Sequence, residues 1–324
     1  MKAPVDYIFP PVAPGDVPYW RRALRGCSQL CFQSNELTGL FFLAAVLVAS
    51  PIAAAYMAVA AVLAPGGRML LGERSPILET GMPGLNPCLL ALSLPAFFQT
   101  GWTDVGMWLV LVVGVAVTVV LVRLLVALLP FPILVLPFLI VFWVLWALEP
   151  HVDFLQPAVS VAPVATAAFQ PVEAVLRGLG QTMFLPTVLS GLLFLAGMLA
   201  SDWRQAVVAL LGAVIGTVVS YYYRHEATAG ADLGLFGFNG VLAAVAAYVV
   251  CGGRLRLAVL GALLATIVTP AISDLGIKAA LSAPYVLATW FLLFLGWIDE
   301  RWFDTAGAGT TAAPASGAQK TPTP

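Results

Sequence analysis

Several long stretches of this chain are apolar on every face that a helix would present. They cover residues 107–129, 138–148, 206–220 and 258–271. A helix on the surface of a soluble protein has one wet face, so segments without one need lipid or protein on all sides. The chain is 61% hydrophobic and 10% charged, with a mean hydropathy of +0.97, which exceeds the usual range of soluble domains. The sequence therefore predicts an all-α polytopic membrane protein.

An internal duplication divides the chain into two halves. Residues 24–47 align with residues 176–199 at a shift of 152, with 12 identities in 24 positions. The recurring polar, aromatic and glycine positions are Leu-Arg-Gly at 24–26 and 176–178, Gln29 and Gln181, Phe32 and Phe184, and Thr38-Gly39 against Ser190-Gly191. Later landmarks also recur, namely Asn86 and Asn239, Glu79 and Asp232, Pro137 and Pro284, and Trp143 and Trp290. The sequence thus predicts two structural repeats.

The charges of the connecting segments predict how the repeats are oriented. The proline-rich stretch 149–175 contains no Lys or Arg, whereas the N-terminal segment carries Lys2, Arg21, Arg22 and Arg25. The positive-inside rule therefore predicts cytoplasmic termini and an extracytoplasmic connector. An odd number of crossings, five in each half, would invert the second repeat relative to the first. The predicted order is a cytoplasmic tail (1–18), a first repeat (19–149), the connector (150–172), a second repeat (173–302) and a disordered cytoplasmic tail (303–324).

Two short apolar runs predict where a solute would cross. The runs 88–98 and 241–251 have about a dozen residues each, whereas a membrane-spanning helix needs roughly twenty. Asn followed by Pro87 is a helix-start signal, so we expect two re-entrant half-helices capped by Asn86 and Asn239. In inverted repeats both N-termini would point to a central pore, where free N–H groups favour a carbonyl oxygen and disfavour cations. A pair of ordinary short buried helices is the alternative.

Polar side chains near these runs are candidates for the lining of a pore. A Gln in a bilayer is costly unless it is paired or faces a wet cavity, and Gln29 and Gln181 occupy the same repeat position. If their segments are helical, each Gln shares a face with the Phe three residues later. Contacts between helices are the alternative role for both. Glu79 and Asp232 either accept hydrogen bonds at the half-helix ends or only favour the helix dipole.

These motifs closely resemble those of the urea transporter family over residues 19–302. The resemblance rests on Leu-Arg-Gly-x-x-Gln-x-x-Phe at 24–32 with its copy at 176–184, and on Gly-Leu-Phe-Gly-Phe-Asn at 234–239. Residues 131–138 look like the family's Leu-Pro-x-x-Thr-x-Pro-Phe, and residues 278–285 are a degenerate second copy. The resemblance implies a homotrimer with a pore in each subunit, through which urea passes passively between oxygen acceptors and flat apolar walls.

The resemblance also assigns roles to individual residues. The oxygen acceptors would be Gln29, Gln181 and Ser282, and the wall residues would be Phe32, Phe184, Leu30, Leu85 and Phe238. Val135 stands where the family motif has Thr, so one hydroxyl is missing from the row of acceptors. A pore with one oxygen fewer is compatible with short amides, ammonia or water as alternative solutes.

Other function classes find less support in the sequence. His151 and His225 lie apart, and no metal-binding or nucleophile motif accompanies them, which argues against an enzyme. An ion-coupled or nucleotide-driven transporter would need intramembrane carboxylates or a phosphate-binding loop. The sequence has no such loop and few acidic residues in its apolar segments, which argues against that class. A membrane sensor for urea stays open as an alternative. We expect a plasma (inner) membrane protein whose partners are lipid and urea or a urea-like solute, without cofactor, metal or nucleic acid.

Overall fold

A computed structural model describes residues 8–73, 76–158, 169–224, 234–235, 237–274 and 279–303. Within these ranges the chain forms twelve α-helices. Those of the first half are α1 (Tyr19–Ser28), α2 (Glu36–Ala49), α3 (Pro51–Leu70), α4 (Leu85–Phe97), α5 (Val105–Leu128) and α6 (Leu136–Leu148). Those of the second half are α7 (Pro171–Gln181), α8 (Val188–Ser201), α9 (Trp203–Arg224), α10 (Phe238–Val250), α11 (Leu255–Asp274) and α12 (Ala283–Ile298). The predicted all-α fold is confirmed.

Only some of these helices are long enough to cross a bilayer alone. By length and composition α3, α5, α9 and α11 qualify, and the segment from Tyr19 to Ala49 would be a fifth span, bent by 72° between Cys31 and Glu36. Helices α4, α6, α8 and α10 are apolar but shorter. Five crossings in each half would therefore require short helices to combine, and that number stays a prediction.

Local side-chain chemistry sets several helix starts. The Asn35 side chain caps α2 by accepting from the Thr38 amide at 3.0 Å, and the Thr187 hydroxyl caps α8 by accepting from the Ser190 amide at 3.1 Å. Each cap satisfies one of the amides that the first turn of a helix leaves without a partner. Equivalent positions of the two halves thus begin their second helix in the same way.

Reciprocal hydrogen bonds join α2 to α8. The Thr38 hydroxyl donates to the Gly197 carbonyl at 2.7 Å, and the Ser190 hydroxyl donates to the Ala45 carbonyl at 3.0 Å. The start of each helix therefore contacts the end of the other, so the two helices run antiparallel. Ser190 and Ala45 stand at the repeat positions of Thr38 and Gly197, so the two bonds are equivalent. A two-fold axis that related the halves would produce such a pair.

A second reciprocal pair joins the segments around α6 and α12. The Trp143 indole donates to the Ala279 carbonyl at 2.8 Å, and the Trp290 indole donates to the Pro132 carbonyl at 2.8 Å. Indole N–H groups inside an apolar protein need an acceptor, and here each half supplies the acceptor for the other. Both tryptophans recur in the sequence, so the repeat explains contacts between the halves as well as the order of elements.

The glycine of the Leu-Arg-Gly motif is explained by close backbone packing. A Cβ on Gly84, directly before α4, would lie 2.5 Å from the Gly26 Cα of α1. In the second half, a Cβ on Gly178 would lie 3.4 Å from the Gly237 Cα. Each first helix therefore crosses the start of its short fourth helix at backbone contact, because neither side carries a side chain there. Gln29 directly follows α1 and Gln181 is the last residue of α7, so each glutamine lies three residues after the glycine at this crossing.

Candidate functional site

The first candidate acceptor is the buried side-chain oxygen of Gln29. It lies in the 3₁₀ turn Gln29–Cys31 that follows α1, and its side chain donates from Nε2 to the Thr80 carbonyl at 2.7 Å. The residue is 2% exposed, and its Oε1 atom has no hydrogen-bond partner in the described part of the chain. Since a carbonyl can only accept, the Thr80 bond fixes which end of the carboxamide is the free one.

Gln181 repeats this feature in the second half. It is the last residue of α7, and its Oε1 atom is also buried without a hydrogen-bond partner among the described residues. A buried acceptor without a partner costs about 1–3 kcal/mol, so its presence needs an explanation. Two such oxygens at equivalent repeat positions favour a ligand that donates hydrogen bonds.

Phe32 and Phe184 end the two turns in a left-handed conformation. Their φ angles are 57° and 61°, and each lies three residues after its glutamine. The helix does not continue to either residue, so the prediction that Gln and Phe share one helix face is wrong. A left-handed residue stops a helix and turns the chain away. Both rings are half-buried and pack against the apolar core.

The Phe184 ring packs against aromatic rings of the first half. Its centroid lies 5.8 Å from that of Phe97 and 6.3 Å from that of Phe138, in edge-on arrangements. Aromatic pairs favour such geometries, which hold the ring in a defined plane. Sequence reasoning missed Phe97 because one aromatic residue within an apolar run gives no signal of its partners.

The turn that carries Gln29 lies between the two short helices. Residues Gln29–Cys31 contact both α4 and α10. The first residues of these helices are the predicted wall residues Leu85 and Phe238, of which Leu85 is buried and Phe238 half-buried. Leu30, within the turn, is buried as well. The structure thus brings the first-half glutamine together with both short helices.

The prediction that Asn86 and Asn239 cap the short helices is wrong. The caps are Gly84 and Gly237, no side-chain bond caps either helix, and each asparagine is the second helical residue. Pro87 consequently falls at the third position. The first four amides of a helix have no intrahelical acceptor, so a proline there loses no hydrogen bond and does not mark the first residue.

The asparagines instead tie the short helices to the segments before α6 and α12. Asn86 donates to the Leu134 carbonyl at 3.0 Å and accepts from the Phe138 amide at 3.0 Å. Asn239 donates to the Leu281 carbonyl at 3.1 Å. Leu134 and Leu281 are both left-handed, with φ of 48°. Each asparagine therefore holds a sharp turn at the same place in its half.

Val135 and Ser282 directly follow these turns. They are the N-cap residues of α6 and α12, and both are 2% exposed. Neither side chain caps its helix by a hydrogen bond. The two positions are equivalent, so the second half carries a hydroxyl where the first half carries a methyl group.

Glu79 contacts the N-terminal segment. Its carboxylate accepts from the Gly15 amide at 2.8 Å and lies 3.9 Å from the Arg22 guanidinium, while its carbonyl accepts from Arg25 at 2.7 Å. The other predicted acid, Asp232, lies outside the described residues. Sequence reasoning also missed Thr80, because a backbone carbonyl that holds Gln29 leaves no signal in residue type.

The site is chemically suited to a neutral donor. Its free groups are carboxamide oxygens flanked by aromatic and aliphatic side chains. The buried carboxylate nearby, Glu36, already accepts from Arg21 at 2.6 Å and from Arg25 at 2.8 Å. In the described ranges no three residues of the His, Cys, Asp or Glu type lie close enough to hold a metal ion.

Comparison with known proteins places the chain in a family. The family model described as urea transporter matches residues 20–297. Urea transporter 1 of Rattus norvegicus is 26% identical over 239 residues, and that of Mus musculus is 26% identical over 244 residues. Urea transporter 1 of Ovis aries is 25% identical over 246 residues. Each alignment covers 69% of this chain, which spans 61% of the length of each relative. This chain is a multi-pass membrane protein that belongs to the urea transporter family.

Proposed function

We propose that this chain conducts urea passively across the membrane. The main supporting observation is the pair of buried Oε1 atoms of Gln29 and Gln181. They occupy equivalent positions and have no hydrogen-bond partner among the described residues. Membership of the urea transporter family and the names of the relatives, each called urea transporter 1, support the same solute.

Urea suits such a site because it is planar, carries four N–H donors and has one carbonyl acceptor. A dehydrated urea without partners would lose several hydrogen bonds, at about 1–3 kcal/mol each. The glutamine oxygens and the Ser282 hydroxyl replace water at the N–H edge. The rings of Phe32 and Phe184 cover the flat faces. A neutral solute needs no coupled ion, so transport follows the urea gradient.

The path runs between inverted repeats that cover residues 19–149 and 173–302. The antiparallel contact between α2 and α8 supports this arrangement, because a two-fold axis between antiparallel membrane helices lies in the membrane plane. The short helices α4 and α10 then begin inside the membrane from opposite sides. Their free amides offer donors to the urea carbonyl and disfavour cations.

The resemblance to the urea transporter family also supports a proposal for the surrounding assembly. The protein is a homotrimer in the plasma (inner) membrane, with lipid around it and one path in each subunit. Both termini lie in the cytoplasm and the connector 150–172 lies outside, because the connector has no Lys or Arg whereas Lys2, Arg21, Arg22 and Arg25 lie near the N-terminus.

The second candidate function is a urea-like channel with shifted selectivity. The presence of valine at position 135 favours it. The buried Val135 stands opposite Ser282 in the repeat and offers no oxygen. A path with one acceptor fewer discriminates less between urea and formamide, acetamide or ammonia, because those solutes need fewer acceptors.

Stopped-flow light scattering of proteoliposomes tests both candidates. Vesicles with and without the protein are exposed to equal gradients of urea, formamide, acetamide and ammonia. We expect urea permeability well above that of empty vesicles. Urea permeability equal to that of empty vesicles contradicts the proposal, and a higher rate for a short amide than for urea establishes the second candidate.

A further inference from the structure

Residues 9–17, which we call the N-terminal strap, are fastened onto α1 by Arg21. The Arg21 guanidinium donates to the Pro10 carbonyl at 2.8 Å and to the Phe9 carbonyl at 3.4 Å. It also lies 5.9 Å from the centre of the Phe9 ring, within range of a cation–π interaction. Arg21 is 5% exposed, so these contacts are shielded from water.

The other end of the N-terminal strap is fastened to the loop before α4. The Gly15 amide donates to Glu79 Oε1 at 2.8 Å. Nearby, the Arg22 side chain donates to the Val17 carbonyl at 2.9 Å. The strap therefore links α1 to the loop before α4, and the Gly15–Glu79 bond joins residues that are 64 positions apart in the sequence.

Buried charges complete a closed ring of contacts. Arg21 and Arg25 both donate to Glu36 Oε1, at 2.6 Å and 2.8 Å, and Arg25 also donates to the Glu79 carbonyl at 2.7 Å. The ring runs from the N-terminal strap through Arg21, Glu36, Arg25 and Glu79 back to the strap at Gly15. Charge-assisted bonds of this kind are stronger than neutral ones and fix geometry well.

This ring ends one residue from the candidate site. Thr80 follows Glu79, and its carbonyl accepts from Gln29 Nε2 at 2.7 Å. We propose that the N-terminal strap and Glu79 position the Gln29 carboxamide, so that its oxygen rather than its N–H₂ group faces the solute. Glu79 is then a positioning residue, which acts on urea through Thr80 and Gln29. This inference rests on the proposed function.

The residues of this ring are only partly repeated in the second half. The shift of 152 places Glu173, Ala174 and Val188 at the positions of Arg21, Arg22 and Glu36. Glu173 pairs with Arg177 within α7 at 2.7 Å, a contact inside one helix. The Arg21–Glu36 pair therefore has no counterpart at these positions, and the strap contacts described above all lie in the part of the chain before α4.

The test compares Glu79→Ala with Glu79→Gln in proteoliposomes, and uses Glu73→Ala as the matched control. Glu73 precedes α4 in the same long connection, but its carboxylate pairs with Arg68. Two quantities are measured, urea permeability by stopped flow and amide hydrogen exchange of the peptide 8–18 by mass spectrometry. We expect Glu79→Ala to accelerate exchange of the strap and to lower urea permeability at least about fivefold. Glu79→Gln retains an oxygen for Gly15 and keeps at least half the permeability.

The two readouts separate the possible outcomes. Faster exchange in Glu79→Ala with permeability equal to that of Glu73→Ala overturns the inference, because the strap then does not act on conduction. Equal loss in Glu79→Ala and Glu73→Ala also overturns it, since the effect would be general destabilisation. If the wild-type protein conducts no urea, the proposed function fails first, and the exchange data still show whether Glu79 holds the strap.

Discussion

Replacing each site glutamine by leucine removes one acceptor while nearly preserving side-chain size. Neither Oε1 atom bonds to a described part of the protein, so the acceptor that is lost is one offered to the solute. Gln29→Leu also removes the bond from Nε2 to the Thr80 carbonyl. Hydrogen bonds inside membrane proteins average about 0.6 kcal/mol, and those in soluble proteins reach about 1.5 kcal/mol. At about 1.4 kcal/mol per tenfold, Gln29→Leu and Gln181→Leu should each lower urea permeability about 3-fold to about 12-fold.

The double variant reports whether both glutamines act at the same barrier. If both contact urea at the highest barrier, the two factors multiply, and urea permeability should fall by about 9-fold to about 140-fold. If they contact urea at successive positions, the double variant resembles the slower single variant. The assay is stopped-flow urea efflux from vesicles with equal amounts of reconstituted protein.

Gln99→Leu is the matched control, because Gln99 is exposed and its side chain bonds to the Pro157 carbonyl at 3.2 Å rather than to a residue of the site. We expect this variant to conduct urea like the wild type. The reasoning is refuted if both single variants and the double variant stay within about twofold of the control while wild-type protein conducts urea.

Three further substitutions test the surroundings of the site. Val135→Thr should raise urea permeability if the side chain faces the path, whereas an unchanged or lower rate means that the hydroxyl is buried against protein. Gly39→Ala should lower the melting temperature in detergent, since a Cβ there would lie 2.1 Å from the Leu24 carbonyl oxygen and overpacking costs about 1–3 kcal/mol; an unchanged melting temperature would contradict that contact. Asn86→Ala should destabilise more than Asn239→Ala, by about 1 kcal/mol, because Asn86 makes one hydrogen bond more to described groups. Equal midpoints in chemical denaturation would show that the extra bond contributes nothing.

The repeat could be predicted because the recurring residues make contacts that few other residue types could make. Gly26 recurs as Gly178 since each first helix touches the backbone before a short helix. Thr38 recurs as Ser190 since each hydroxyl donates to a carbonyl of the other half. Such contacts restrict residue type strongly, so they leave a visible pattern even in an apolar sequence.

Features set by the backbone were harder to predict. Asn before Pro resembles a cap, but both asparagines bond to distant turns, and only the tertiary structure shows those partners. Phe32 and Phe184 lie at a spacing that suits a helix, yet both are left-handed. A bulky residue rarely adopts this conformation, so local propensity argues against what the surrounding fold imposes.

The hydrogen bond that holds Gln29 could not be predicted, for a related reason. Its partner is the carbonyl of Thr80, and any residue type at position 80 supplies a carbonyl. The candidate acceptors themselves were predictable, because a glutamine repeated within apolar segments is unusual and costly.

The most direct measurement of the central claim is an experimental structure with selenourea, whose selenium is located by anomalous scattering. The account predicts selenourea at both glutamines, with its nitrogens about 3 Å from the Oε1 atoms of Gln29 and Gln181. Selenourea bound elsewhere, with both Oε1 atoms hydrogen-bonded to protein groups, would contradict the account.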